Sequence, residues 1–305
     1  MFHHDSIHLP IGHLPKSSDQ ETLHLKHFYP AQDSTDLPVV LLIHGAIENG
    51  RIFYSEDGKK GLAPFLAKQG YEVFVADLRG RGLSQPNISR HAQYGQTETI
   101  TQEIPAFLDH IQQLHPQRKV ILMGHSWGGV LLSSFLARFP SYLRVIDKMV
   151  FFGTKRIVTV INPYSLFYIR LMWNRVFYWI IKRYGYLPEP FGADRETRKS
   201  HHQSAHWVQG NPWRDLDDGF DYGDAIKGLQ MPPTLFIAGV KDHYLGHPKD
   251  VRDFVQEFGA QQATYQLLGR KQGNLHNYGH IDMLTHPFCE RDHFLDILNW
   301  LQKNN

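Results

Sequence analysis

A chain of 305 residues with 32 Lys+Arg against 30 Asp+Glu has a formal charge of only +2. With no long run of one sign, it lacks the electrostatic footprint of a partner for nucleic acid or an acidic polymer, and a small or apolar substrate is expected. A single cysteine, Cys289, excludes an intramolecular disulfide framework, and the start Met1-Phe2-His3-His4-Asp5 has no basic segment followed by an apolar one, so a reducing, cytoplasmic setting is the expectation.

In chain order, residues 22–29 alternate and read as a strand. Pro38-Val39-Val40-Leu41-Leu42-Ile43 is a continuous apolar run, the pattern of a strand buried on both faces, and it ends at His44-Gly45. A helix is expected near 62–68, a strand over 71–76, a helix through about 98–115, and strands at 119–123 and 146–152. From 154 to 230 the alternation stops. That stretch is too long for a bare loop, so it should carry helices of its own. Strand character returns at 233–238, followed by a helix near 250–258, a strand at 263–268 and a terminal helix from about 290 to 302. Such alternation implies an α/β protein with a mostly parallel central sheet and helices on both faces. The expected organisation is a core from 1–153 and 231–305, with 154–230 inserted as a cap.

Gly124-His125-Ser126-Trp127-Gly128 lies directly between the strand at 119–123 and an apolar helix that opens at Gly129. A strand that runs into a helix through one sharp turn holds the serine strained and exposed, as a nucleophile requires; the competing reading of Ser126 is an ordinary helix N-cap. A serine hydroxyl needs an imidazole to take its proton, and the imidazole needs a carboxylate to fix its tautomer. Downstream, Asp242 follows the strand at 233–238 and His280 follows the last strand. Asp250 and Asp282 compete for the acid, and His276 and His286 for the base. An oxyanion would be held by the backbone N–H of Trp127 and, from the loop after 38–43, by that of Ala46. His44 is expected to shape that loop rather than to take part in chemistry. The 20 histidines are scattered, His3-His4 and His201-His202 lack partners at metal spacing, and no metal or other cofactor is called for.

Taken together, Leu42-Ile43-His44-Gly45, Asp77-Leu78-Arg79-Gly80-Arg81-Gly82-Leu83-Ser84, the pentapeptide, Gly239-x-x-Asp242 and Gly279-His280-x-Asp282 resemble the α/β-hydrolase superfamily, in its serine esterase and lipase-like branch. The resemblance covers about the whole chain outside the insertion and implies the order Ser126, Asp242, His280 for the triad, with a cap at 154–230. Arg81 departs from it, since many relatives carry His or Asn there. The segment 157–182 is dense in aliphatic and aromatic residues, but Arg170, Asn174 and Arg175 interrupt it and Pro163 breaks its start, so a transmembrane span is not expected. It is read either as an acyl-binding wall or lipid-facing lid in transient contact with a membrane surface, with Phe167, Trp173 and Phe177 against substrate, or as the packed core of a cap. The expected activity is hydrolysis of a carboxylic ester of a fairly hydrophobic small molecule or lipid. Other triad reactions on this fold (peptidase, thioesterase, C–C hydrolase, cofactor-free haloperoxidase) and a non-catalytic binding protein are the competing readings.

Overall fold

The computed structural model describes residues 2–11, 21–31 and 37–303. Eight strands form one sheet: β1 (Phe2–Pro10), β2 (Thr22–Pro30), β3 (Val39–Ile43), β4 (Glu72–Asp77), β5 (Val120–His125), β6 (Ile146–Phe152), β9 (Thr234–Gly239) and β10 (Ala263–Leu268). Between β6 and β9 in the chain, β7 (Tyr186–Leu187) and β8 (Glu196–Thr197) pair antiparallel as a separate two-stranded sheet. The order in the large sheet is β1-β2-β4-β3-β5-β6-β9-β10. Strands β4, β3, β5, β6, β9 and β10 run parallel, while β1 and β2 add an antiparallel edge.

The continuous apolar runs have a direct cause in this sheet. Val39, Leu41 and Ile43 of β3 face one core with Leu122, Phe236 and the helices Ile104–Leu114, Trp127–Arg138 and Pro248–Phe258. Val40 and Leu42 face the opposite core with Ile121, Ile237 and the helices Leu62–Lys68 and His293–Gln302. Both parities must be apolar because both faces are covered. β1 was not expected. Its sequence is largely polar and most of its residues are exposed; backbone pairing with β2, from Phe2↔Pro30 to Pro10↔Thr22, makes it a strand.

Between β6 and β9 the longest helical stretch covers Ser165–Val176, with π-type turns, and continues as α-helix over Phe177–Tyr184. A further helix spans Arg198–Val208. No helix among the described residues is long and apolar enough to cross a membrane.

The helix Trp127–Arg138 begins hard against the end of β3. A Cβ on Gly128 would lie 2.3 Å from the Ile43 carbonyl oxygen and 2.6 Å from that of His44. Both obstacles are backbone, which cannot swing aside. Gly128→Ala should therefore lower stability by about 1–3 kcal/mol, read as a lower urea midpoint. Gly223→Ala, whose Cβ meets only ordinary contacts at 3.5 Å within the short helix Tyr222–Ala225, should leave the midpoint unchanged or raise it.

Candidate active site

The carboxyl ends of the parallel strands deliver the expected site residues to one place. Among the described non-glycine residues only Ile47 and Ser126 have positive φ, 49° and 52°. A β-branched or hydroxyl side chain is held there at a steric cost, and such strain persists only where the surroundings enforce it. For Ser126 they do: its N–H donates to the Phe152 carbonyl at 2.7 Å, fixing the turn between β5 and its helix. Ser126 makes no side-chain cap to that helix, so the N-cap reading does not describe it. For Ile47 the support comes from the segment that bears β8. Its N–H reaches Glu196 Oε2 at 3.3 Å and its carbonyl accepts from Asp194 N–H at 3.0 Å.

His280 Nδ1 lies 2.5 Å from Asp242 Oδ2, with the imidazole 6 % and the carboxylate 2 % exposed. Asp242 Oδ1 also accepts the Leu245 N–H at 3.0 Å. Burial works to raise the Asp242 pKa, but the adjacent His280, the Gly246 N–H and the more distant Lys155 hold it below the usual carboxylate value. A carboxylate kept ionised against Nδ1 leaves Nε2 as the free acceptor of the ring. The other candidates lie elsewhere. Asp250 caps Thr159 and Val160, Asp282 accepts the Gly279 N–H, and His276 stacks on His286 at 4.2 Å.

His44 shapes its loop, as expected from the sequence. Its Nδ1 faces the Gly45 carbonyl at 2.8 Å while Nε2 accepts the Leu78 N–H at 3.1 Å, which requires the neutral ring. Burial, with Arg81 second, pushes its pKa down in agreement. Ala46 and Trp127 both line the cavity beside Ser126. Arg81, the departure from the superfamily pattern, forms a buried ion pair with Glu196 and donates from Nε to the Arg195 carbonyl at 3.2 Å, so it ties the D-x-R-G-x-G-x-S loop to the inserted stretch.

Sequence reasoning missed two residues. Glu48 Oε2 lies 2.8 Å from His125 Nδ1 and accepts the Gly45 N–H at 2.9 Å; His125 Nε2 lies 3.1 Å from the His280 carbonyl oxygen. Both ring nitrogens face acceptors, so both must carry protons and His125 is a cation. Burial opposes that charge, but Glu48 holds the His125 pKa above its ordinary value, and His125 in turn outweighs the burial of Glu48 and holds it low. The available signal was a carboxylate three residues past His44-Gly45 and a histidine inside the pentapeptide.

Ser126 and His280 open into a cavity of about 720 Å³ whose wall includes Ile169, Met172, Trp173, Phe177, Val208 and Leu245. Trp173 and Phe177 stand where substrate contact was expected, but Phe167 does not. It is 49 % exposed and packs edge-on against Tyr168. Positions 169, 173 and 177 recur every four residues on the inner side of the helix, which turns 167 outward. Among the described residues no group of three or more His, Cys, Asp or Glu side chains is placed to hold a metal.

Replacing Glu48 by Gln would strand the His125 cation. With His125 raised from 6.5 and Glu48 lowered from 4.5, the pair contributes fully between those two unfolded-state values. Its contribution fades as pH rises through the folded pKa of His125 or falls through that of Glu48. Glu48→Gln should cost about 3–5 kcal/mol in urea denaturation at pH 5.5, with a narrowing gap to wild type at alkaline pH. A gap that widens with pH would contradict a cationic His125.

The sequence profile of the alpha/beta hydrolase fold matches residues 38–184. The chain is similar to a probable lipase of Schizosaccharomyces pombe, 27 % identical over 137 residues, which are 41 % of this chain and 30 % of the relative. It is similar to gastric triacylglycerol lipase of Bos taurus at 28 % over 137 residues (43 % and 34 %). A putative chloroplastic methylesterase of Arabidopsis thaliana matches at 31 % over 105 residues (33 % and 21 %). The chain thus spans only 21–34 % of the length of these curated relatives. In structure it resembles a soluble variant of monoglyceride lipase from Saccharomyces cerevisiae, with TM-score 0.66, 16 % identity and coverage of 97 % of this chain and 95 % of that one. It also resembles a carboxylesterase of Bacillus subtilis, with TM-score 0.57, 15 % identity and coverage of 99 % and 93 %. With the motifs seated at the carboxyl edge of a mostly parallel sheet and these likenesses beside them, the chain has the α/β-hydrolase fold.

Proposed function

We propose that this protein is a serine hydrolase that cleaves a carboxylic ester of a fairly hydrophobic small molecule or lipid through an acyl-enzyme. The observation that carries the reading is the 2.5 Å contact between His280 and Asp242, set behind a serine held at φ 52° in the same cavity. Ser126 Oγ attacks the carbonyl while His280 Nε2 takes its proton, and Asp242 stabilises the imidazolium that forms. The Ala46 and Trp127 amides receive the oxyanion. His280 then returns the proton to the leaving alcohol, and water deacylates Ser126 by the same route, with no cofactor in the scheme. The fold alone does not choose among triad reactions; the lipase and methylesterase relatives favour an ester.

In this reading residues 154–230 form the cap. The inner side of the 165–184 helix supplies Ile169, Met172, Trp173 and Phe177 to the cavity. Its outer side exposes Leu166, Phe167, Leu171, Tyr178 and Trp179 beside Arg170, Arg175, Lys182 and Arg183, and no Asp or Glu occurs from Ile161 to Pro188. Exposed aromatics with cations and no acid suit transient contact with an anionic lipid surface.

Ser126→Ala should abolish labelling by a fluorophosphonate and lower kcat by at least about a thousandfold while the fold survives; undiminished labelling would remove Ser126 from the mechanism. His280→Ala should cost a similar factor, but His276→Ala and His286→Ala less than about tenfold, and Asp242→Asn should cost more than Asp282→Asn.

For the cap, each further buried CH₂ of the acyl chain should add up to about 0.8 kcal/mol, so kcat/KM climbs from acetate toward medium-chain esters. Trp173→Ala or Phe177→Ala should flatten that profile. Phe167→Ala and Trp179→Ala should leave the profile intact and weaken sedimentation with anionic vesicles. A maximum on acetate, unmoved by Trp173→Ala and Phe177→Ala, would reduce the segment to a packed cap.

A further inference from the structure

Lys155 stands three residues beyond the end of β6, on the wall of the cavity that holds Ser126 and His280. It is 7 % exposed, and among the described residues no carboxylate, carbonyl or hydroxyl lies within hydrogen-bond or ion-pair distance of its ammonium. It sits over the Trp127 ring, 6.0 Å from the centroid. Its neighbour Arg156, also buried, is by contrast fully engaged, with Glu257 at 2.5 Å and the Asn211 carbonyl at 2.9 Å. Of the two carboxylates that act on Lys155 through space, Asp242 holds His280, and Asp250 holds Thr159 and Val160 through Oδ1 while its buried Oδ2 lies beyond ion-pair distance of the ammonium.

With the side chain largely buried and no acceptor in the chain at close range, the ammonium bears a desolvation cost that only what enters the cavity relieves. Burial accordingly pushes the Lys155 pKa below the ordinary lysine value, against the pull of Asp242 and Asp250. The wall also carries the apolar side chains of Ile169, Met172, Phe177 and Leu245, which have no packing use for a charge; a ligand that brings an acceptor does.

We propose that Lys155 binds a carboxylate carried by the substrate, so that the ester taken by this site is a hydrophobic half-ester of a dicarboxylic acid. This rests on the serine-esterase reading above. The other cation of the wall, Arg51, is largely exposed and pairs with Glu56 at 3.5 Å; the single buried ammonium of Lys155 matches one carboxylate better than a phosphate dianion, which calls for several donors. Trp127 sets the distance. Its amide faces the reacting carbonyl in the proposed mechanism and its ring lies under Lys155, so the free carboxylate sits a few bonds from the scissile ester, across an apolar spacer.

The test compares monobutyl adipate with its neutral counterpart, butyl methyl adipate, by butanol release. Wild type should favour the half-ester in kcat/KM by at least about tenfold. Lys155→Met should bring the ratio near one, and Lys155→Arg should retain most of it. Equilibrium binding of monobutyl adipate to the Ser126→Ala chain, measured by calorimetry, should weaken by a similar factor when Lys155→Met is added. A ratio that Lys155→Met leaves unchanged, or a wild-type preference for the neutral diester, overturns the inference even if both esters are cleaved. If neither ester is cleaved and Ser126 takes no fluorophosphonate, the hydrolase reading falls. Binding of the half-ester that still depends on Lys155 would then leave the anion site standing, and binding that does not would remove it too.

Discussion

One buried imidazole holds the candidate site together. His125 donates on one side to Glu48 and on the other to the main chain of His280, while Glu48 also receives the Gly45 amide. The loop after β3, the turn that bears Ser126 and the loop that bears His280 thus meet at one charge pair. A cation in such a place is tolerable only with its counter-charge in contact, and because each partner is fully engaged, none of the three loops shifts without leaving a buried polar group unmet.

The ring of His280 is constrained separately from its main chain. Asp242 fixes Nδ1 on one side, and Gly153, with φ 59°, backs the imidazole so closely that a Cβ there would come within 2.8 Å of Nδ1. Main chain and ring are therefore oriented by different carboxylates, Glu48 acting through His125 and Asp242 acting directly. Such division fixes the ring and its main chain independently.

The stretch between β6 and β9 is tied to the rest of the protein unevenly. Around residues 194–196 the attachment is dense: Asp194 accepts from Asn49 and from the Gly82 N–H, and Glu196 pairs with Arg81. The same two residues also hold Ile47 in its strained conformation, Glu196 accepting its N–H and Asp194 donating to its carbonyl. The 165–184 helix, in contrast, presents aromatics to the cavity on one side and to the exterior on the other. Its inner face and Lys155 give the cavity that holds Ser126 two chemically different surfaces, one apolar and one cationic.

What the sequence determined by itself was whatever depends on residues close along the chain. The strands of the parallel sheet follow from continuous apolar runs, and the elbow follows from a strand, small residues and a helix in immediate succession. The helix at Leu62–Lys68 and the strand at Ala263–Leu268 fall where periodicity put them. Tertiary structure decided the partners. Nothing local distinguishes Asp242 from Asp250, or His280 from His276, until β9 and β10 lie side by side and bring loops 38 residues apart into contact. Glu48 and His125 are 77 residues apart and Arg81 and Glu196 are 115 apart; pairing of β3 with β5 creates the first pair, and docking of the stretch that bears β8 creates the second. β1 becomes a strand through backbone pairing that its polar side chains do not announce. The direction of Phe167 and the solitude of Lys155 are likewise properties of packing: composition shows that a side chain is apolar or charged, and only the neighbours that surround it in the folded chain show what it faces.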